Sequence, residues 1–179
     1  MARGYLLPKV LPFLLMHLWG TAVAADYGHG RVSMNGSIID TACSIDLDSQ
    51  YQDIDMMPVP VDQVVRDGRG PEVPFTIRLV DCSLAHWHSG PQNWSSLRVT
   101  FDGATIGSGL FWVAGEARGV GLQIVDANGV AAVPGSAMPP RILQPGSMDL
   151  VYTLRLMKSQ MMPVPGDWHT TLRFKMDYF

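Results

Sequence analysis

Charge is scarce in this 179-residue chain. Lys, Arg, Asp and Glu together make up 16 % of it, and no basic excess offsets the acidic side chains. That excludes the basic surface on which non-specific nucleic-acid binding depends. Cysteine is nearly absent, with only Cys43 and Cys82. Beyond the first twenty residues no apolar run approaches the roughly 18 residues that span a bilayer. Catalytic signatures are missing as well. There is no nucleophile elbow, no phosphate-cradling glycine loop and no paired-histidine zinc motif. Ser, His and Asp occur without any spacing that groups them, so the chain reads as a non-enzyme with no small-molecule substrate. No stretch shows a capped 3.6-residue apolar period, and no internal repeat or linker divides the chain.

The N-terminus has a separate character. Arg3 and Lys9 precede an apolar run from Val10 to Trp19, and Ala22-Val23-Ala24 supplies a small-residue cleavage pattern. This predicts a signal peptide over residues 1–24, with cleavage after residue 25 as the neighbouring choice. Losing Arg3 and Lys9 leaves 11 basic against 16 acidic side chains, a formal charge of −5. The rest is the size of one domain. Two cysteines in an exported chain read as a disulfide, worth roughly 4 kcal/mol on loop-closure entropy. Free buried thiols are one alternative. A metal site built from Cys82, His86 and His88 is another, but it lacks an evident fourth ligand. The acidic group Asp46, Asp48, Asp53 and Asp55 lacks the glycine and spacing of a calcium loop. Alternation would place Asp46 and Asp48 on the solvated face of a strand.

What is present is β texture. Strands are predicted over 31–39, 42–48, 52–57, 73–81, 96–101, 120–126, 149–157 and 169–178. Gly, Pro, Asn and Asp clusters separate them, among them Asn128-Gly129, which suits a two-residue hairpin turn. The fold class is therefore all-β and sandwich-like. The two end strands alternate most strictly. Val32, Met34, Gly36 and Ile38 share one face of the first, and Leu172, Phe174, Met176 and Tyr178 one face of the last. The last strand reaches Phe179, so no later strand is expected to cover its edge, which sandwiches ordinarily protect.

Taken together, these segments resemble the pilin subunits of chaperone–usher fimbriae, the P-pilus and type 1 class. The match rests on Gly30-Arg-Val-Ser-Met-Asn-Gly36, Ile39-Asp-Thr-Ala-Cys43, Ile54-Asp-Met56 and Phe75-Thr-Ile-Arg-Leu-Val-Asp-Cys82. It continues in Gly119-Val-Gly-Leu-Gln-Ile-Val-Asp126 with Gly129, and in the C-terminal signature. That signature is a glycine fourteen positions from the end (Gly166), an alternating apolar row and a penultimate Tyr178. The resemblance implies an incomplete immunoglobulin-like sandwich lacking its last strand. A periplasmic chaperone would complete it first, and a neighbouring subunit's N-terminal segment would replace the chaperone strand at the outer-membrane usher. The partners implied are chaperone, usher and other pilus subunits, the location is the cell-surface pilus, and no cofactor is implied. Residues 25–41 would be the donor extension and 42–179 the pilin domain. Val32, Met34, Gly36 and Ile38 would form the donor strand. Gly166, Leu172, Phe174, Met176, Tyr178 and Phe179 would face the chaperone. Cys43 and Cys82 match the family's intradomain disulfide. Within the family, Leu97–Gly103, Gly119–Asp126, Ala137–Pro139 and Leu150–Arg155 resemble the subunit that terminates P pili, whose groove accepts no further strand. A different reading is a self-contained immunoglobulin-like binding domain whose first strand pairs within its own chain.

Overall fold

The backbone of the protein was described from a computed structural model covering residues 31–36, 38, 40–85, 93–107 and 109–179. The predicted leader and the start of the 25–41 extension lie outside these residues. The chain divides into two units, Met1–Ser37 and Ile38–Phe179. In the first, residues 31–36 form no regular element, and Val32 and Met34 are exposed. The strand predicted over 31–39 is thus not formed among its described residues. Alternation sets which side chains share a face, but a strand also needs a backbone to pair with.

In the second unit the elements run in order: β1 (Ser44–Ile45), α1 (Leu47–Gln50), α2 (Val61–Asp67), β2 (Arg69–Cys82), β3 (Ser96–Asp102), β4 (Thr105–Ile106), β5 (Leu110–Phe111), β6 (Ala114–Gly115), β7 (Val120–Asp126), β8 (Arg141–Ile142), β9 (Gly146–Lys158), β10 (Trp168–His169) and β11 (Arg173–Tyr178). One sheet has the order β1-β2-β9-β7-β5-β4, and a second has β11-β3-β8. A two-stranded ribbon pairs β10 with β6. Every paired strand is antiparallel.

Period-two alternation builds the core. Ile77 and Leu79 of β2, Leu150, Tyr152, Leu154 and Leu156 of β9, and Val120, Leu122 and Ile124 of β7 point inward and are buried. They meet Leu97, Val99 and Phe101 of β3 from the facing sheet. An aromatic cluster joins the layers. Phe101 lies 5.0 Å from Tyr152 and 6.2 Å from Phe75 in edge-to-face contacts, and Phe75 stacks on Tyr152 at 5.4 Å. Burial pushes the Tyr152 phenol up to about 12.

Several sequence expectations need correction. The strand predicted over 42–48 stops at Ile45. The Asp46 carboxylate accepts from the Asp48 N–H at 3.3 Å and caps α1, so Asp46 and Asp48 do not share a strand face. Residues 52–57 form no strand. α2 was not anticipated. Pro60 precedes it and Gly68, at φ 73°, ends it, while of its seven residues only Val64 is buried. That is too short for a visible helical period. The Asn128-Gly129 turn carries one residue more than a two-residue hairpin. Asp126 and Val130 pair around Ala127, Asn128 and Gly129, with the Gly129 N–H donating to Asp126 O at 2.9 Å and Gly129 at φ 84°. This is a three-residue loop closed by that hydrogen bond and ending in a left-handed glycine.

Candidate functional site: a groove beside the last strand

β11 pairs with β3 on one edge only, from Arg173↔Asp102 to Tyr178↔Leu97. No strand among the described residues pairs with its other edge. Ser96 and Phe179 exchange two backbone hydrogen bonds, at 3.1 and 2.9 Å. In an antiparallel ladder this register assigns the N–H and C=O of Arg173, Lys175 and Asp177 to β3. Those of Phe174, Met176 and Tyr178 therefore face the open edge. A row of unpaired backbone groups of this kind is a template for an incoming strand.

Across from that edge runs the segment 50–59. Between the two lies a groove of about 850 Å³. Its floor is the underside of the core: Phe75, Phe101, Leu122, Ile124 and Leu154. Its walls are Ile54 and Met56 on one side and Trp168, Leu172 and Phe174 on the other. The wall residues explain what the groove lacks. Leu172, Phe174, Met176 and Tyr178 point toward the core with the alternation of a buried row, yet each is only half-buried. The 50–59 wall was the part of the site that sequence reasoning did not single out. Its signal was present in the alternation of Ile54 and Met56 with Asp53 and Asp55, whose carboxylate side chains are exposed.

The C-terminal segment enters the site under tight steric control. Gly166 has φ 154°, and a Cβ there would stand 2.6 Å from Glu116 Cβ and 2.7 Å from Ala117 N. No L-residue fits that approach. Its neighbours are tied down by the Glu116 N–H to Asp167 O bond at 2.7 Å and by the β10–β6 pairs Trp168↔Gly115 and His169↔Ala114. At the far end the Tyr178 hydroxyl donates to the Cys43 carbonyl at 3.5 Å, and its ring meets Trp94 edge-on at 6.0 Å. Burial raises the Tyr178 phenol above its ordinary value. The terminal Phe179 oxygen accepts from the Ser95 and Ser96 N–H groups and from the Ser95 hydroxyl, and Arg98 lies over its ring at 5.2 Å.

The disulfide is formed. Cys43 and Cys82 are bonded with their Cα atoms 4.1 Å apart, and both are buried. Cys82 is therefore not a metal ligand, His86 and His88 lie outside the described residues, and no cluster of metal-binding side chains occurs among the described ones. Of the sequence-assigned site residues, the structure gathers Gly166, Leu172, Phe174, Met176, Tyr178 and Phe179 along one strand and its lead-in. Val32, Met34 and Gly36 belong to the other unit, and Ile38, at the start of the second unit, is fully exposed.

Comparison with known proteins bears on this arrangement. Residues 32–178 match the family described as "Fimbrial protein". The chain is 33 % identical over 150 residues to the PRS fimbrial minor pilin protein of Escherichia coli, covering 83 % of this chain and 77 % of that one. It stands in the same relation to the PAP fimbrial minor pilin protein of Escherichia coli. It is 30 % identical over 176 residues to the major MR/P fimbria protein of Proteus mirabilis, covering 96 % of this chain and 97 % of the relative. In fold it is similar to the P pilus rod subunit PapA, with a TM-score of 0.70 at 21 % identity, over 78 % of this chain and all of that one. The sandwich with an uncovered strand edge is thus the incomplete immunoglobulin-like pilin fold. On these matches the chain belongs to the fimbrial protein family, whose members are non-enzymatic structural subunits of cell-surface pili.

Proposed function

We propose that this chain is a minor subunit within a chaperone–usher pilus, one that both accepts a strand in its groove and donates its own N-terminal segment to a neighbour. The open edge of β11 carries this reading. An incoming strand gains backbone hydrogen bonds to Phe174, Met176 and Tyr178, and alternate apolar side chains fill the groove. The alternating segment 31–38 is eight residues, about 23 Å as a strand at ~3.3 Å per residue, long enough to pair with Phe174, Met176 and Tyr178 and to continue along the groove. Val32, Met34 and Ile38 supply the apolar side chains, and Gly36 leaves room where the strand passes closest. The inserted strand runs antiparallel to β11, as every paired strand here does and as the more stable ladder requires.

Before assembly a periplasmic chaperone lends the missing strand. It pairs along Leu172, Phe174, Met176 and Tyr178 and meets the Phe179 carboxylate, and the usher then directs the exchange. The matches to two fimbrial minor pilins support the minor role.

The test is direct. A peptide of residues 26–41 is expected to bind the mature chain and raise its melting temperature, and the same peptide carrying Met34→Asp and Ile38→Asp is not. Failure of this peptide and of peptides from sister subunits to bind would overturn the acceptor role and leave the terminating role resembled by the core segments.

A further inference from the structure

Resting on that reading, we infer that the end of the groove continues into a second docking surface, an apolar lip that packs against the body of a second copy of this chain, the copy whose strand fills the groove. The lip consists of Met57, Met161, Met162 and Val164, which are 49–73 % exposed. Four apolar side chains held open at one pole are the kind of patch that marks an interface.

Their place in the fold is well defined. The Ser159 N–H donates to Gly119 O, Val164 and Arg118 exchange backbone hydrogen bonds at 2.9 and 3.2 Å, Gly166 abuts Glu116, and Trp168 pairs with Gly115. The segment 159–169 thus descends along 119–114 toward β11, and Met161 and Met162 sit at the pole where the groove's wall begins. Met57 borders the groove at the same end, next to Val59, which packs against Gly70 and Leu156.

Chain length and polarity identify the occupant. A strand antiparallel to β11 brings its Ile38 end to the Gly166 end of the groove, beside the lip. The donating domain resumes at Ala42, which is buried in that domain's own core. Only residues 39–41 intervene, a reach of about 10 Å. The donor's body therefore cannot avoid the lip. The pole it presents is the one holding Cys43 and the end of β11, where Phe179 is exposed. The contact is head-to-tail and heterologous, so it repeats along a fibre without closing.

The experiment separates the lip from the groove by using two donors. Sedimentation velocity reads oligomer formation by the mature chain, and fluorescence anisotropy reads binding of the 26–41 peptide, which has no body to contact the lip. The variant Met161→Lys/Met162→Lys is expected to bind the peptide as the wild type does, which also shows that it folds. Its self-association is expected to fall about tenfold or more, on the scale of two methionines denied burial. Unchanged self-association in this variant overturns the lip. Peptide binding without any self-association of the wild type overturns a second copy as the occupant. Loss of peptide binding by the wild type itself overturns the groove reading instead.

Discussion

Truncating Phe174 to alanine tests the groove through a difference between two states of one protein. In the free chain the ring is half-buried, 6.3 Å from Phe101 and open to the groove on its other side. Full burial of a phenylalanine makes its truncation cost about 3–5 kcal/mol, and the partly covered ring already accounts for about two-thirds of that. An inserted strand covers the remainder, and the cost then rises to the full range. The difference, about 1–1.7 kcal/mol, appears as weaker strand binding, a loss of roughly five- to twentyfold. Denaturant unfolding of wild type and Phe174→Ala, each with and without saturating 26–41 peptide, closes the cycle. Phe101→Ala is the control, because Phe101 is already buried in the free chain and its truncation is expected to cost the same in both states. If Phe174→Ala also costs the same in both states, the strand does not cover that ring and the groove is not where it binds.

Three further outcomes follow from the same structure. Gly166→Ala forces a Cβ against Glu116 and Ala117 at a strained φ and is expected to cost about 1–3 kcal/mol in unfolding, whereas Gly36→Ala, with nothing within 4 Å, leaves free-chain stability unchanged. Tyr152 is held neutral by burial, with its phenol at about 12 against an ordinary 10. Its contribution is complete below pH 10 and lost as pH rises through 12, so stability is expected to fall by about 2–3 kcal/mol across that window, and Tyr152→Phe to flatten the fall. Replacing Cys43 and Cys82 by alanine opens a loop closed at a separation of 39 residues and is expected to cost roughly 4 kcal/mol in denaturant unfolding, where a loss under 1 kcal/mol would refute a structural role for the bridge.

The sequence disclosed the strands that find partners and overstated those that do not. β7 appears over the residues its alternation marks, and β3 and β9 contain theirs, because Leu97, Ile124 and Leu154 have a facing sheet to enter. The segments 31–36 and 52–57 alternate as well, but neither meets a neighbouring backbone, so neither is a strand. The second is a wall of the groove, and the first is the segment proposed to fill the groove of a neighbouring copy. The last predicted strand is interrupted because Trp168 and His169 pair with β6 while Arg173 to Tyr178 pair with β3, a change of partner that no side-chain pattern encodes. The half-burial of Leu172 to Tyr178 was equally hidden. An apolar row looks the same in sequence whether or not the chain supplies its cover.

The unpaired backbone groups of Phe174, Met176 and Tyr178 stand in line along the axis of β11. A strand bonded to them lies parallel to the direction in which its own subunit pulls. Tension on a fibre then loads the whole ladder at once, in shear, rather than opening it one bond at a time from an end. Rupture requires all the bonds and the apolar side chains between them to give way together. The edge that leaves a single subunit incomplete is thus, once occupied, the feature that suits the fibre to resist flow.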